Sequence, residues 1–434
     1  MKYDPIPSTF FVRNRKRFMR KMQPDSLAVF YSNDLVYRSG DTSFPFKQNE
    51  ALFYLSGLDQ PETVLVLFPD CVKDGFQEVV FIRKPNAFSQ RWDGSGLTLE
   101  DARERSGVSQ VFWVDDLDRI LHELILLSKR IYINIPEHEG RRQYQDDANA
   151  RMARGLMDRY PAHKFHRSQP ILRKLTMIKT PEEIELLERT IRITGLAFDR
   201  VLGVLRPGMG EFEVEAELTY ELLKNRASGH AYPPIVASGP RSCILHYQQN
   251  SEICQPGELV LMDFGAEYAH YAADVTRVLP VDEQFTDRQR TIYNGVLQML
   301  ERIKPLLVPG KTLEEYHQEV GKVAEDVLLE LEVLSPAEVA RQSPNYPAYK
   351  KYFMHSASHH IGMQVHDPAN RYEPIQAGMV LTCEPGIYLP EEAIGIRLEN
   401  MVLVTDAGPV DLTKNIPIGL EEIEERRQKF AVTE

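Results

Sequence analysis

The sequence predicts a mixed α/β (α+β) chain of two domains, residues 1–173 and 174–434, the second built from two related halves. Three observations carry this. Short apolar runs alternate with polar and helical stretches through the first domain. A strong helix-start signal follows a boundary near Leu172–Lys179. Beyond it the chain repeats its own order of helix, glycine turn, apolar strand and carboxylate.

In the first domain, Leu27–Phe30, Val64–Phe68, Val79–Ile82 and Ile131–Ile133 are short apolar runs. Such runs suit strands buried on both faces. A helical pattern lies between them at Leu117–Leu127. Upstream, Arg13, Arg15, Lys16, Arg17, Arg20 and Lys21 read as the solvated face of an amino-terminal helix.

The second domain opens on Thr180-Pro181-Glu182-Glu183, where a capping residue, a proline at the first helical position and a glutamate at capping-box spacing coincide. This helix is expected to end near Leu205, before Pro207-Gly208, and a second helix to cover Glu211–Asn225. Thr286 and Gln289 repeat the capping-box spacing and open a helix that Pro305 interrupts or ends. Leu307-Val308-Pro309-Gly310 echoes Leu205-Arg206-Pro207-Gly208 and precedes a helix running through Leu331. Gly257 through Asp263 matches Gly378 through Glu384: a glycine turn, an apolar strand, then a carboxylate. His246 and His366 precede the two glycines at nearly equal distances. Two halves packed about a pseudo-twofold axis would bring Asp263 and Glu384 together from opposite sides.

Composition narrows the functional classes. Hydrophobic residues make up 43% and charged residues 26%, ordinary for a globular protein with a sizeable core. The formal net charge of −12 argues against nucleic acid or an anionic membrane as partner. No apolar run is long enough to span a bilayer, and none near the start suits a secretory signal. Cys71, Cys243, Cys254 and Cys383 form no CxxC pair, so free thiols in the cytoplasm are expected.

His246, Asp263, Asp274, His355, His359, His366, Glu384, Arg397 and Glu399 carry the chemical information. A lone carboxylate at a strand end is ordinarily a turn residue, and a lone histidine in apolar sequence ordinarily a core residue. Here the whole set arrives together, mostly within apolar strand-like sequence, where buried carboxylates need a partner or a cation. Asp274 and Thr276 share one strand face, as do Arg397 and Glu399. His355 and His359 would share a helix face if a helix formed there. Four carboxylates and one histidine make a hard, oxygen-rich set that favours manganese, iron, cobalt or zinc over copper. Two such ions could share carboxylates and activate one water without a protein nucleophile. Other hydrolase and nucleotide signals fail. Leu126 stands where an HExxH motif would place its second histidine, Gly94-Ser95-Gly96 lacks the spacing of a nucleophile elbow, and Gly208-Met209-Gly210 lacks the rest of a dinucleotide fingerprint.

Residues 174–434 resemble the pita-bread metallopeptidases, which include methionine aminopeptidase, prolidase and aminopeptidase P. The resemblance rests on Met262-Asp263-Phe264-Gly265 with Asp274-Val275-Thr276-Arg277, on Phe353 through Gly362, on Leu381 through Gly386, and on Gly395 through Glu399. Ile244-Leu245-His246-Tyr247, Phe44 through Asn49 and Tyr54 through Leu58 are similar to the aminopeptidase P branch, whose amino-terminal domain resembles residues 1–173. The resemblance implies two divalent ions, manganese first with cobalt, zinc or iron as alternatives, held by Asp263, Asp274, His359, Glu384 and Glu399, with Asp274 and Glu399 bridging. It implies that His246, His355 and His366 line the substrate site and that Arg397 supports the metal shell.

The function implied is hydrolysis of the amino-terminal Xaa-Pro bond of peptides by a hydroxide shared between two metals, with Glu384 moving the proton, in a homodimer or homotetramer. Prolidase is the nearest alternative. Methionine aminopeptidase usually lacks the long first domain, and non-catalytic or metal-free relatives lose ligands that are all present here. Two features depart from the branch: a short segment between His366 and Glu384, and Ser95-Gly96 after Trp92-Asp93-Gly94, where relatives use the tryptophan to reach a neighbouring subunit.

Overall fold

A computed structural model of the chain describes residues 3–92, 94, 96–135, 137, 146–343 and 345–431. They form two compact units, Pro5–Thr176 and a second comprising residues 3–4 and 177 onward.

The first unit is built on a six-stranded sheet in the order Gln110–Trp113, Glu78–Ile82, Val64–Leu67, Ser26–Tyr31, Arg130–Ile133, Lys164–Arg167. The four apolar runs occupy its interior strands. One face packs Leu27, Val66 and Phe81 against Ile120 and Leu124 of the helix Leu117–Leu127. On the other, Phe30 meets Phe18 of the helix Ser8–Met19 edge to face, 5.4 Å between ring centroids. Burial on both faces explains why these strands do not alternate polar and apolar residues.

The basic run on the first helix departs from its expected solvated role. Lys16, Arg20 and Lys21 are exposed, but Arg15 is fully buried. Its guanidinium donates to Glu78 at 2.9 Å and to the carbonyls of Leu55 and Ser106 at 2.8 Å each. The fork geometry lets one side chain satisfy two helix-end carbonyls and one carboxylate. Arg15→Ala strands those acceptors in the interior, so it should cost about 3 kcal/mol or more, read as a lower urea midpoint for this unit. Trp92 ends the helix Ala87–Trp92 and is 72% exposed, while Asp93 and Ser95 lie outside the described residues.

The second unit carries the repeat. Its helices are Pro181–Val204 and Glu211–Lys224 in one half, Asp287–Ile303 and Leu313–Glu330 in the other. Each second helix begins beside a matched pair of backbone bonds. Gly208 N donates to Cys254 O and Cys254 N to Met209 O; Gly310 N donates to Ile375 O and Ile375 N to Lys311 O. Gly208, Gly257, Gly310 and Gly378 all have φ between +82° and +92°, which explains glycine at all four turns. Each half contributes an antiparallel three-stranded sheet: Ile235–Ser238, Leu259–Phe264 and Val275–Pro280 in one, Val380–Cys383, Asn400–Thr405 and Gly408–Asp411 in the other.

The two sheets are stitched together at the centre. Glu399 N donates to Thr276 O at 3.1 Å. The buried Arg277 donates to the Thr276 and Glu399 carbonyls and to Asn400 Oδ1, closing the seam between halves. This is the pseudo-twofold arrangement of a pita-bread fold, and the two carboxylate-bearing strand ends meet at its axis.

Candidate metal centre

Asp263 lies near the end of Leu259–Phe264, paired in register with Thr276 on one side and Ile235 on the other. The chain then doubles back so that Asp274, just ahead of Val275–Pro280, faces the same region. Gly265 permits this: a Cβ there would sit 1.8 Å from the Ala273 carbonyl oxygen. In the other half, Glu384 directly follows Val380–Cys383, and Arg397 ends Ile394–Arg397 two residues before Glu399.

The histidine segment forms no helix. Residues 355–359 are irregular, held along the strand edge by Thr382 N to His359 O at 2.9 Å and Glu384 N to Ala357 O at 3.0 Å. Helical spacing therefore does not bring His355 and His359 together; edge contacts with the Glu384 strand place both.

The side chains converge. His359 Nε2 is 3.4 Å from Asp274 Oδ2 and 3.6 Å from Glu384 Oε1. Donor atoms of Asp274, His359 and Glu399 all lie within 4.8 Å of one another. Arg397 donates to Asp263 Oδ2 at 2.6 Å, to Thr276 Oγ1 at 3.0 Å and to the Tyr388 hydroxyl at 3.0 Å. Thr276 in turn donates to Glu399 Oε2 at 2.7 Å. His359 Nδ1 is 3.1 Å from the His360 carbonyl, a contact that directs the Nδ1 proton away and leaves Nε2 aimed at the carboxylates.

The other predicted histidines differ in placement. His355 is part-buried, with Nε2 2.8 Å from Tyr388 Oη and Nδ1 2.8 Å from Ser356 O. Burial, then the charge of Arg397, pushes its pKa down to about 3, so it is neutral. His366 is exposed and stacks on His359, 4.0 Å between centroids. Its neighbour Asp367 is locked by a buried ion pair with Lys179 at 2.8 Å. His246 is exposed on a loop.

Sequence reasoning missed three hydroxyls. Tyr232 Oη lies 2.5 Å from both Asp263 Oδ1 and Asp274 Oδ1. Tyr388 links Arg397 to His355, and Thr382 Oγ1 bonds both the His359 amide and Glu384 Oε1. Tyr232 precedes Pro233-Pro234 at the entry to a strand, and no local pattern links it to carboxylates far along the chain.

The electrostatics suit divalent cations. Burial, with Arg397 opposing and Asp274 adding to it, holds Asp263 above the usual carboxylate range. Burial lifts Glu384 to about 7 against the pull of His359, and burial followed by Asp274 and Glu384 drives Glu399 well above the range. Burial works against charge on His359, but the Asp274 hydrogen bond and Glu384 outweigh it and raise the imidazole to about 9. Tyr232 has one proton for two carboxylate oxygens. Three acids that resist ionisation because they are buried beside one another are a site where divalent cations would relieve the repulsion between their ionised forms, and four carboxylates with one imidazole are hard donors.

The chain is similar to known proteins over nearly its whole length. Residues 185–406 match the model of metallopeptidase family M24, and residues 11–132 that of the aminopeptidase P N-terminal domain. The Xaa-Pro aminopeptidase of Escherichia coli (strain K12) is 33% identical, covering 95% of this chain and 96% of that protein. Xaa-Pro aminopeptidase 3 of Homo sapiens is 28% identical over 92% of this chain and 80% of its own length. Among solved structures, Pseudomonas aeruginosa aminopeptidase PepP is similar with a TM-score of 0.90 at 30% identity, covering 99% of each chain. The low-pH form of E. coli aminopeptidase P has a TM-score of 0.89 at 31% identity, covering 99% of this chain and 100% of that one.

Proposed function

The chain belongs to metallopeptidase family M24, and from that membership we propose that it is a Xaa-Pro aminopeptidase, releasing the first residue of peptides whose second residue is proline. Family membership makes it a hydrolase that works with divalent metal ions. The observation that carries the reading is the meeting of four carboxylates and His359 beside the Arg397–Tyr388–His355 chain of hydrogen bonds. Relatives support the substrate class: E. coli aminopeptidase P has been solved in complex with substrate, as a variant, and with the inhibitor Pro-Leu.

Asp263, Asp274, His359, Glu384 and Glu399 would hold the two ions, manganese in our assignment, with Asp274 and Glu399 shared. When bound, the ions supply Lewis acidity and bring the pKa of a water toward ~7. The chain's own residues do the rest. Glu384 would take a proton from the attacking water and deliver it to the leaving proline nitrogen. His366 and His246, both exposed, would donate to the developing oxyanion. Arg397 fixes Asp263, and Tyr388 holds His355 in one tautomer on the substrate side. Proline offers no N–H and a fixed φ, so a snug pocket accepts its ring where an ordinary peptide would bury an unpaired donor.

We place the chemistry in residues 174–434, which follow an amino-terminal domain of residues 1–173 in the chain. Peptides, neither nucleic acid nor membrane, are the partners, and the assembly is a homodimer or homotetramer. Among the described residues no helix is long and apolar enough to cross a membrane. All four cysteines are free thiols, which suits a cytoplasmic setting.

The test is hydrolysis of Ala-Pro beside Ala-Pro-Ala after chelation and manganese addition. Free alanine from the tripeptide, with or without cleavage of the dipeptide, is expected. Cleavage of the dipeptide alone would move the assignment to prolidase, and cleavage of neither by metal-loaded protein would overturn it.

A further inference from the structure

The loop bearing His246 is fastened by a buried carboxylate that the fold does not itself require. Glu211 is the first residue of the helix Glu211–Lys224 and is fully buried. Four donors converge on it. Ser238 N and Ser238 Oγ reach Oε1 at 2.7 Å each, while the Tyr247 hydroxyl reaches Oε2 at 2.8 Å and Glu252 N reaches it at 2.9 Å. These donors bracket the segment 239–251, and Tyr247 is the neighbour of His246. One helical turn on, Glu215 accepts from Asn250 Nδ2 at 2.8 Å and adds a second tie.

The internal repeat is the control. The helix Leu313–Glu330 starts at the matching place, with Glu315 accepting from Thr312 N as Glu213 accepts from Gly210 N, and with the same paired backbone bonds beside it. Its first residue is Leu313, a buried apolar side chain. The architecture is thus satisfied by leucine at this position. A buried carboxylate in the other half is costly unless its donors are needed for something else. What differs is the load. Here the bracketed loop includes the turn Gly239–Cys243, whose Ser242 Oγ accepts from Gly395 N at 2.8 Å on the strand carrying Arg397.

We propose that Glu211 is a positioning residue for the peptidase reaction: through Tyr247, Ser238 and Glu252 it holds the 239–251 loop and with it His246. This rests on the reading of His246 as a substrate-side residue. It assigns no chemistry to Glu211 itself.

The experiment is a double-mutant cycle of Glu211→Gln with His246→Ala on the manganese-loaded full chain, read as kcat and KM for Ala-Pro-Ala. Hydrogen exchange of the 239–252 segment is read in parallel. The amide presents donors where two are already aimed, so the loop loosens. Glu211→Gln should lower kcat/KM between about tenfold and a hundredfold when His246 is present and less than about twofold in the His246→Ala background. Exchange should rise in 239–252 and stay unchanged in 259–280. Equal losses in both backgrounds, or unchanged exchange in the loop, would overturn the proposal and leave Glu211 a structural residue. Tyr247→Phe removes one donor with little change of shape. It should give a smaller effect of the same pattern, and it serves if Glu211→Gln fails to fold. If the unmodified chain cleaves no Xaa-Pro peptide, the functional reading fails, while the exchange measurement still decides whether Glu211 holds the loop.

Discussion

Asp274→Asn is expected to leave no measurable peptidase activity, a loss of about 10³-fold or more, in a protein that still folds. The side chain is nearly isosteric, and the backbone of Asp274 is held independently, its N–H lying 3.4 Å from Met401 Sδ. What changes is charge. The carboxylate now faces the Tyr232 hydroxyl on one oxygen and His359 Nε2 on the other. An amide cannot bridge cations in the same way and turns a donor toward one of those partners. Metal analysis beside circular dichroism checks the expectation: fewer than two ions per chain with native secondary structure. An active Asp274→Asn enzyme with full occupancy would remove Asp274 from the bridging position.

The second large effect is on stability, and its sign reverses with metal. In the metal-free protein His359 is raised from 6.5 to about 9. A base raised in the folded state contributes stability that is complete below its unfolded pKa and lost as pH rises through the folded one. Glu384, raised from 4.5 to about 7, pushes the same way over the lower part of that range, because the folded state holds a proton the unfolded chain has released. Metal-free protein should therefore lose on the order of 3 kcal/mol between pH 6.5 and 9. Below pH 6.5 the trend turns over. His230 and His317, both depressed to about 4 by burial, must then be charged, so stability falls again as pH drops from 6.5 toward 4. Metal-loaded protein should behave differently above pH 6.5, since the cations take deprotonated ligands and bind more tightly as pH rises. Urea midpoints with chelator and with excess manganese, compared across pH 6 to 9, would separate the curves. A metal-free midpoint that is flat or rising from 6.5 to 9 would mean the carboxylates do not hold His359 protonated.

Much of the fold was legible because it rests on local signals. Pro181 at the first helical position with Glu183 behind it marks the start of Pro181–Val204. Four apolar runs in the first unit could be read as strands, since burial on both faces leaves uninterrupted Val, Leu, Ile and Phe. The repeat was readable for a related reason: positive φ at Gly257 and Gly378 restricts both turns to glycine, so the chemistry of the turn is visible in the residue. The His355–His359 segment misled. Spacing of four suggests a helix face, but its amides and carbonyls bond the edge of Val380–Cys383 instead, a choice made by residues more than twenty positions away.

Arg15 and Tyr232 show the same limit from the side of individual residues. An arginine in a basic helical run carries no mark of burial, because its partners are Glu78 and two helix-end carbonyls from other segments. Tyr232 meets Asp263 and Asp274 only because the strand pairing sets Ile235 opposite Asp263.

The sequence by itself determined the two-domain α/β class, the internal repeat and the set of candidate metal-ligating residue types, since composition, turn chemistry and side-chain periodicity are local properties. Tertiary structure alone decided which hydroxyls and cations surround those residues, how far each acid departs from its ordinary pKa and which histidines face the centre, because burial and charge-to-charge distance are set only when the two halves close on one another.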